Sequence, residues 1–263
     1  MVLASSIIAM GVSALIGIAV PVALAWWMVR KYNVKLTTIL IGAAAFFIFA
    51  LLLEPILHQV VLKGPHGAAI TGNVWYYALY GGLAAGVFEE AGRFLAMKFL
   101  LRKEPPTTLT GVAYGVGHGG MEMLMLFGIG MISNIAIAAM INSGQADILI
   151  ATAPAEAQAQ VQAQFEQLQS NGAGAYLFGL WERVSAIILQ LSLSVLVWAA
   201  VRKGGKWLWL FPTAILLHAL VDGCAVVISK TAGMLPTEII LFCLALAVGA
   251  MAWMTGRRMN ACE

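Results

Sequence analysis

Long apolar runs, each closed by a short charged or glycine-rich stretch, dominate the chain. A helix crossing the hydrocarbon core of a bilayer needs about 20 mostly apolar residues. Seven segments meet that length, at roughly 3–28, 37–62, 74–101, 108–141, 175–201, 207–229 and 235–256. The pattern therefore predicts an all-α polytopic membrane bundle of about seven transmembrane helices, forming a single integral membrane domain over residues 1–263. The fourth segment is long and carries glycines at 117, 119, 120, 128 and 130, which leaves a kink, a break or a second short helix open. The first run continues for about 25 residues to "WWMVRK" with no basic stretch before it, which reads as a retained span rather than a signal peptide.

Charge orients these spans. Arg30, Lys31, Lys35, Arg102, Lys103, Arg202, Lys203, Lys206, Arg257 and Arg258 gather at one set of helix ends, against Lys63 and Lys230 at the other. Basic residues mark the cytoplasmic side, so the N-terminus is expected outside and the C-terminus in the cytoplasm. The connection over 142–173 has no Lys or Arg and falls on the outer side. Its "PAEAQAQVQAQFEQLQS" is rich in helix formers, with Val161, Phe165 and Leu168 on one face, and predicts an amphipathic helix over about 152–170.

Composition excludes most other classes. Of 263 residues, 61% are hydrophobic and 10% charged, and mean hydropathy is +0.89, whereas a soluble domain carries roughly 25% charged residues. The net charge of +3 is too small and scattered for a nucleic-acid partner. Cys224, Cys243 and Cys262 show neither a disulfide framework nor a thiolate zinc spacing, and Cys262 is too near the end for a prenylation box.

Against this background the charged residues inside the spans stand out: Glu54, Glu89, Glu90, Glu122, Glu182, Asp222, Arg93, Lys98 and Arg183, with His118 and His218. An ionised group at a helix centre costs about 2.5–3.5 kcal/mol on insertion scales, so such groups face a bundle interior or a wet cavity. Glu90, His118 and His218 each lie ten or eleven residues from a cytoplasmic helix end, which at about 1.5 Å per residue is a common depth of roughly 15–17 Å. Spacing adds to depth. Either Glu89 or Glu90 can reach Arg93 on one face, and "HGGME" and "HALVD" place an acid one turn after each His. Simpler readings hold elsewhere: Glu54 reaching the interface, Lys98 snorkelling, and Glu182–Arg183 as a structural pair.

Carboxylate with imidazole suits activation of water. Two histidines and a carboxylate could instead hold Zn²⁺ with an open position. Two other readings remain: a proton- or ion-coupled transporter using the same groups as a relay, and a catalytically inactive membrane scaffold.

In order, EExxR, HxxxE and HxxxD resemble the glutamate-dependent intramembrane protease superfamily, which includes CaaX endopeptidases, bacteriocin-processing (CPBP) proteins and PrsW-type proteases. Within it, Phe88–Arg93, Gly117–Glu122 and His218–Asp222 resemble the YhfC branch. The resemblance implies an intramembrane peptidase of the bacterial cytoplasmic (inner) membrane, with a membrane protein or peptide as substrate. It implies Glu89 as general base with His118, Glu90 as the other candidate base, and Arg93 fixing the pair. His218 and Asp222 would polarise the scissile carbonyl or help hold a metal, for which His118, His218 and Glu89 are the candidate zinc ligands. The last motif ends in Asp where CaaX endopeptidases carry Asn, which argues against a prenylated substrate. Members of the YhfC branch resemble one another in a His where this chain has Gln190.

Overall fold

The computed structural model describes residues 1–260, and Cys262 lies outside them. Every regular element among the described residues is helical. Helix α1 spans Ala4–Tyr32, α2 Leu36–Phe46, α3 Glu54–Leu62, α4 Gly67–Thr71, α5 Val74–Phe99 and α6 Thr108–Glu122. Then come α7 Gly130–Asn142, α8 Ala146–Thr152, α9 Ala155–Ser170, α10 Ala173–Lys203, α11 Leu210–Thr231 and α12 Met234–Asn260. Six stretches among the described residues are long and apolar enough to cross a membrane: Ala4–Tyr32, Leu36–Leu62, Thr108–Asn142, Ala173–Lys203, Gly205–Thr231 and Met234–Asn260. The expected third span forms as the 26-residue α5 but falls outside that set, because Glu89, Glu90, Arg93 and Lys98 lower its hydropathy.

Two of the apolar stretches run through π-helical turns, Phe47–Leu53 between α2 and α3 and Met123–Ile129 between α6 and α7. The long fourth segment therefore continues through a π segment rather than stopping at its glycines. A π turn takes an extra residue, which rotates the downstream residues by about 100° relative to an α-helix. Each π segment adjoins an acid, Glu54 in one case and Glu122 in the other.

The chain divides into two compact units. One comprises Met1–Val20 and Met123–Arg183. Within it the apolar face of α9 is not solvated: Phe165 and Leu168 are buried with Val2, Met10, Ala138, Ile141 and Tyr176, and Val161 packs against them. The other comprises Pro21–Glu122 and Val184–Glu263. Its core joins Met97 of α5 and Leu101 just after it, Tyr114 of α6, Leu193 and Val195 to Ala199 of α10, Ala214 of α11, and Ala245 and Met259 of α12. Small residues set its tightest contacts. A Cβ at Gly117 would lie 1.8 Å from the Ile39 carbonyl oxygen of α2, and one at Gly86 would lie 2.7 Å from that of Ile215 in α11. Only glycine permits such backbone approach, a recurrent basis of helix association in membranes.

Candidate active site

All seven residues singled out by the sequence lie in the second unit. On α5, Arg93 chooses between its two candidate carboxylates. Its Nη1 donates to both oxygens of Glu90, at 2.6 and 2.7 Å, and its Nη2 donates to Gln190 Oε1 of α10. Glu90 and Arg93 are both fully buried. His218 of α11 donates from Nδ1 to Glu90 Oε1 at 2.8 Å, so Glu90 is held on three sides and fixes the imidazole.

Glu89 faces a different set. His118 Nε2 of α6 stands 2.9 Å from Glu89 Oε2, and His218 Nε2 stands 4.0 Å from Glu89 Oε1. Gln190 Nε2 donates to the same Glu89 Oε2 at 3.0 Å and to Glu122 Oε2 at 2.8 Å. Thus the Gln190 amide links Glu122 to the cluster. Asp222 Oδ2 lies 3.6 Å from His218 Nε2, close enough for electrostatic coupling but long for a hydrogen bond. His118 is wedged between Phe46, edge-on at 5.2 Å, and Tyr114, stacked at 5.9 Å.

Gln190 is the hub of this arrangement. Its amide oxygen accepts a hydrogen bond from Arg93 and its two N–H groups donate to two carboxylates, so every group of the side chain has a partner of the right sign. Turning the amide over would set its oxygen against Glu89 and Glu122 and its N–H against a guanidinium. Gly119 makes the position possible: a Cβ there would lie 2.9 Å from Gln190 Cβ. The sequence marks Gln190 by its place eleven residues before Val201, the common depth, and by the His that the YhfC branch carries there, and its threefold role follows from neighbours on α5 and α6.

Residues read more simply in the sequence divide. Lys98 lies over Phe94 and Phe99 at 5.5 and 5.7 Å, as a snorkelling lysine would. Glu182 and Arg183 pair with each other within the first unit. Glu54 departs from expectation: instead of reaching an interface it is buried, with His58 Nε2 3.2 Å from its Oε1. His58 lies one turn after Glu54 on α3, a spacing the sequence offers, whereas Tyr80 of α5 carries no sequence signal that links it to them. Glu238 of α12 is also buried, and no spacing pairs it with another acid or His.

The interior thus brings imidazoles from two helices to one carboxylate on a third, in a chain built of membrane helices. Residues 16–243 match the family described as YhfC intramembrane metalloprotease. The chain is also 38% identical over 232 residues to the "Uncharacterized membrane protein YhfC" of Bacillus subtilis (strain 168), with 88% of each chain covered. It belongs to the YhfC family and is an integral membrane protein. No solved structure matches it.

The family description names a metal, and the residues can be tested against one. Among the described residues no group of three His, Cys, Asp or Glu side chains is disposed to hold an ion as it stands. The donor types nevertheless fit zinc: Nε2 of His118, Nε2 of His218 and the Glu89 carboxylate are the kind of set that leaves a position open. His218 also has the carboxylate support at Nδ1 that orients a metal-binding imidazole. His118 Nδ1 is buried with no hydrogen-bond partner among the side chains.

Proposed function

We propose that this protein is an intramembrane endopeptidase that cleaves a membrane-embedded or membrane-proximal peptide bond, with Glu89 as the base that activates water. The observation that carries this reading is the division of labour between adjacent glutamates. Both oxygens of Glu90 are taken by Arg93, and one also by His218, so Glu90 is a fixed anchor. Among the described residues no guanidinium is paired with Glu89, and both imidazoles face it. In a site poor in bulk water, a carboxylate held by hydrogen bonds is ready to take a proton without reorganisation.

Glu89 removes a proton from water as the water oxygen bonds to the scissile carbonyl carbon. His118 orients Glu89, and His218, held by Glu90, presents Nε2 to the carbonyl oxygen as it gains charge. Collapse breaks the C–N bond, and the proton on Glu89 passes to the leaving amine. In the alternative in which Glu89, His118 and His218 hold zinc, the metal would supply the polarisation of the carbonyl and the acidification of water, and Glu89 and His218 would serve as ligands in place of those roles. Gln190 keeps Glu89 and Glu122 apart from each other while linking both to the Arg93–Glu90 anchor. The site chemistry suits a membrane protein or peptide substrate, and the helix-end charges suit a bacterial cytoplasmic membrane with the basic ends inward.

The test joins metal content to proteolysis. Purified wild type, H118A and H218A are assayed for bound zinc. Vesicles carrying wild type or E89Q are compared for new peptide N-termini in co-reconstituted membrane proteins. A single zinc per chain, lost in both His variants, supports the ligand assignment. Cleavage reduced at least about a hundredfold in E89Q supports the base. Cleavage that survives E89Q at the wild-type rate refutes the assignment of Glu89.

A further inference from the structure

The candidate site is sealed on one side and polar on the other. Toward the helix ends that carry Arg102, Lys103, Arg202 and Lys206, the residues beyond Glu89, Glu90 and the two histidines are fully or almost fully buried. They are Arg93 and Met97 on α5, Leu101 just after it, Tyr114 on α6, Leu193 and Trp198 on α10, and Ala214 on α11. This plug is apolar except for groups already paired or stacked, so it offers water no continuous route.

Toward the opposite ends the pattern reverses. Asp222, one turn beyond His218, keeps 38% of its side chain exposed. Glu54 lies within electrostatic reach of Glu89, His218 and Asp222. Its carboxylate is 11% exposed, and its partner His58 is 35% exposed. His58 Nδ1 stands 2.8 Å from the Tyr80 hydroxyl on α5, nine residues before Glu89 and on the same side of the site. The π segment Phe47–Leu53 sets this up, with Phe49 packed against the position of Gly92, where a Cβ would lie 2.5 Å from its ring. An exposed carboxylate and imidazole cannot face hydrocarbon without a large penalty, so their exposed surfaces are wet.

We propose that water reaches Glu89 from the bundle end opposite the Lys/Arg-rich one, through a polar entrance formed by Glu54, His58, Tyr80 and Asp222. The entrance deepens the peptidase reading, on which its functional meaning rests, because it also fixes the side from which an extended substrate strand meets the base. Glu54 keeps it hydrated: both nitrogens of His58 are engaged, by Glu54 and by Tyr80, so the remaining acceptor sites of the largely buried Glu54 carboxylate call for water.

Thiol accessibility tests the entrance without needing turnover. In a background with the three cysteines replaced by serine, single cysteines are placed by H58C, D222C, E89C, M97C and A214C. The purified proteins, matched for elution and thermal transition, are treated with a charged methanethiosulfonate. Modification of H58C, D222C and E89C at least tenfold faster than M97C and A214C is the expected result. H58C and D222C replace partly exposed side chains and so keep the test valid should E89C fold poorly. Adding E54L and H58L to E89C should slow its modification at least tenfold. Equal rates at all positions, faster modification at Met97 or Ala214, or an E89C rate unchanged by E54L and H58L overturns the entrance. Those outcomes leave the role of Glu89 in proteolysis untouched, whereas survival of cleavage in E89Q with the expected labelling overturns the role and keeps the entrance.

Discussion

Replacing Arg93 by methionine removes a cation that is fully buried and bonded to both oxygens of Glu90 and to Gln190. Methionine fills much of the same volume, so the cost comes chiefly from the charge left behind. Breaking a buried ion pair from one side costs about 3–5 kcal/mol. E90Q alone should cost a similar amount, because Arg93 then loses its counter-charge, although the glutamine oxygen still accepts from His218 Nδ1. Independent effects would sum to about 6–10 kcal/mol in the double variant. With neither charge present, the double variant should instead cost no more than either single one, giving a coupling of at least about 3 kcal/mol. Unfolding in mixed SDS micelles, followed by the fluorescence of the eight tryptophans, measures all four proteins. Additive losses, or an R93M loss below about 1 kcal/mol, would refute the view that Arg93 and Glu90 stabilise the site as one unit.

Two further substitutions probe geometry with the same assay. G117L drives a side chain into the Ile39 carbonyl, 1.8 Å from the Cβ position, and should cost at least the roughly 1–3 kcal/mol of overpacking, by separating α2 from α6; G11A, with open space around it, should leave the transition in place. Q190E keeps an oxygen for Arg93 but turns the donor facing Glu89 and Glu122 into a third acceptor. It should lower both stability and cleavage, while equal stability in wild type and Q190E would show that the amide is not the hub.

The residues themselves explain where the sequence is legible. Apolar runs, basic helix ends and the order EExxR, HxxxE, HxxxD are local patterns, and hydropathy with helical periodicity reads them directly. Those patterns place the membrane helices and bring forward Glu89, Glu90, Arg93, His118, Glu122, His218 and Asp222. They cannot choose between neighbours. Glu89 and Glu90 are both within one turn of Arg93, and only the presence of His218 and Gln190 on other helices decides that Glu90 takes the guanidinium. Glu54 illustrates the same limit: its position before Pro55 suits an interface, yet the fold buries it beside His58, one turn on. The apolar face of α9 is visible as a stripe, but its burial depends on α1 and α7 reaching it.

The sequence by itself determined that this chain folds as membrane helices with ionisable groups in their interiors, because the cost of charge in hydrocarbon acts on each segment separately. The tertiary structure alone decided which carboxylate is anchored by the guanidinium and which faces the imidazoles, which amide links them, and which side of the site is polar. Those outcomes depend on contacts a few ångströms long between helices far apart in the chain, and no local spacing encodes them.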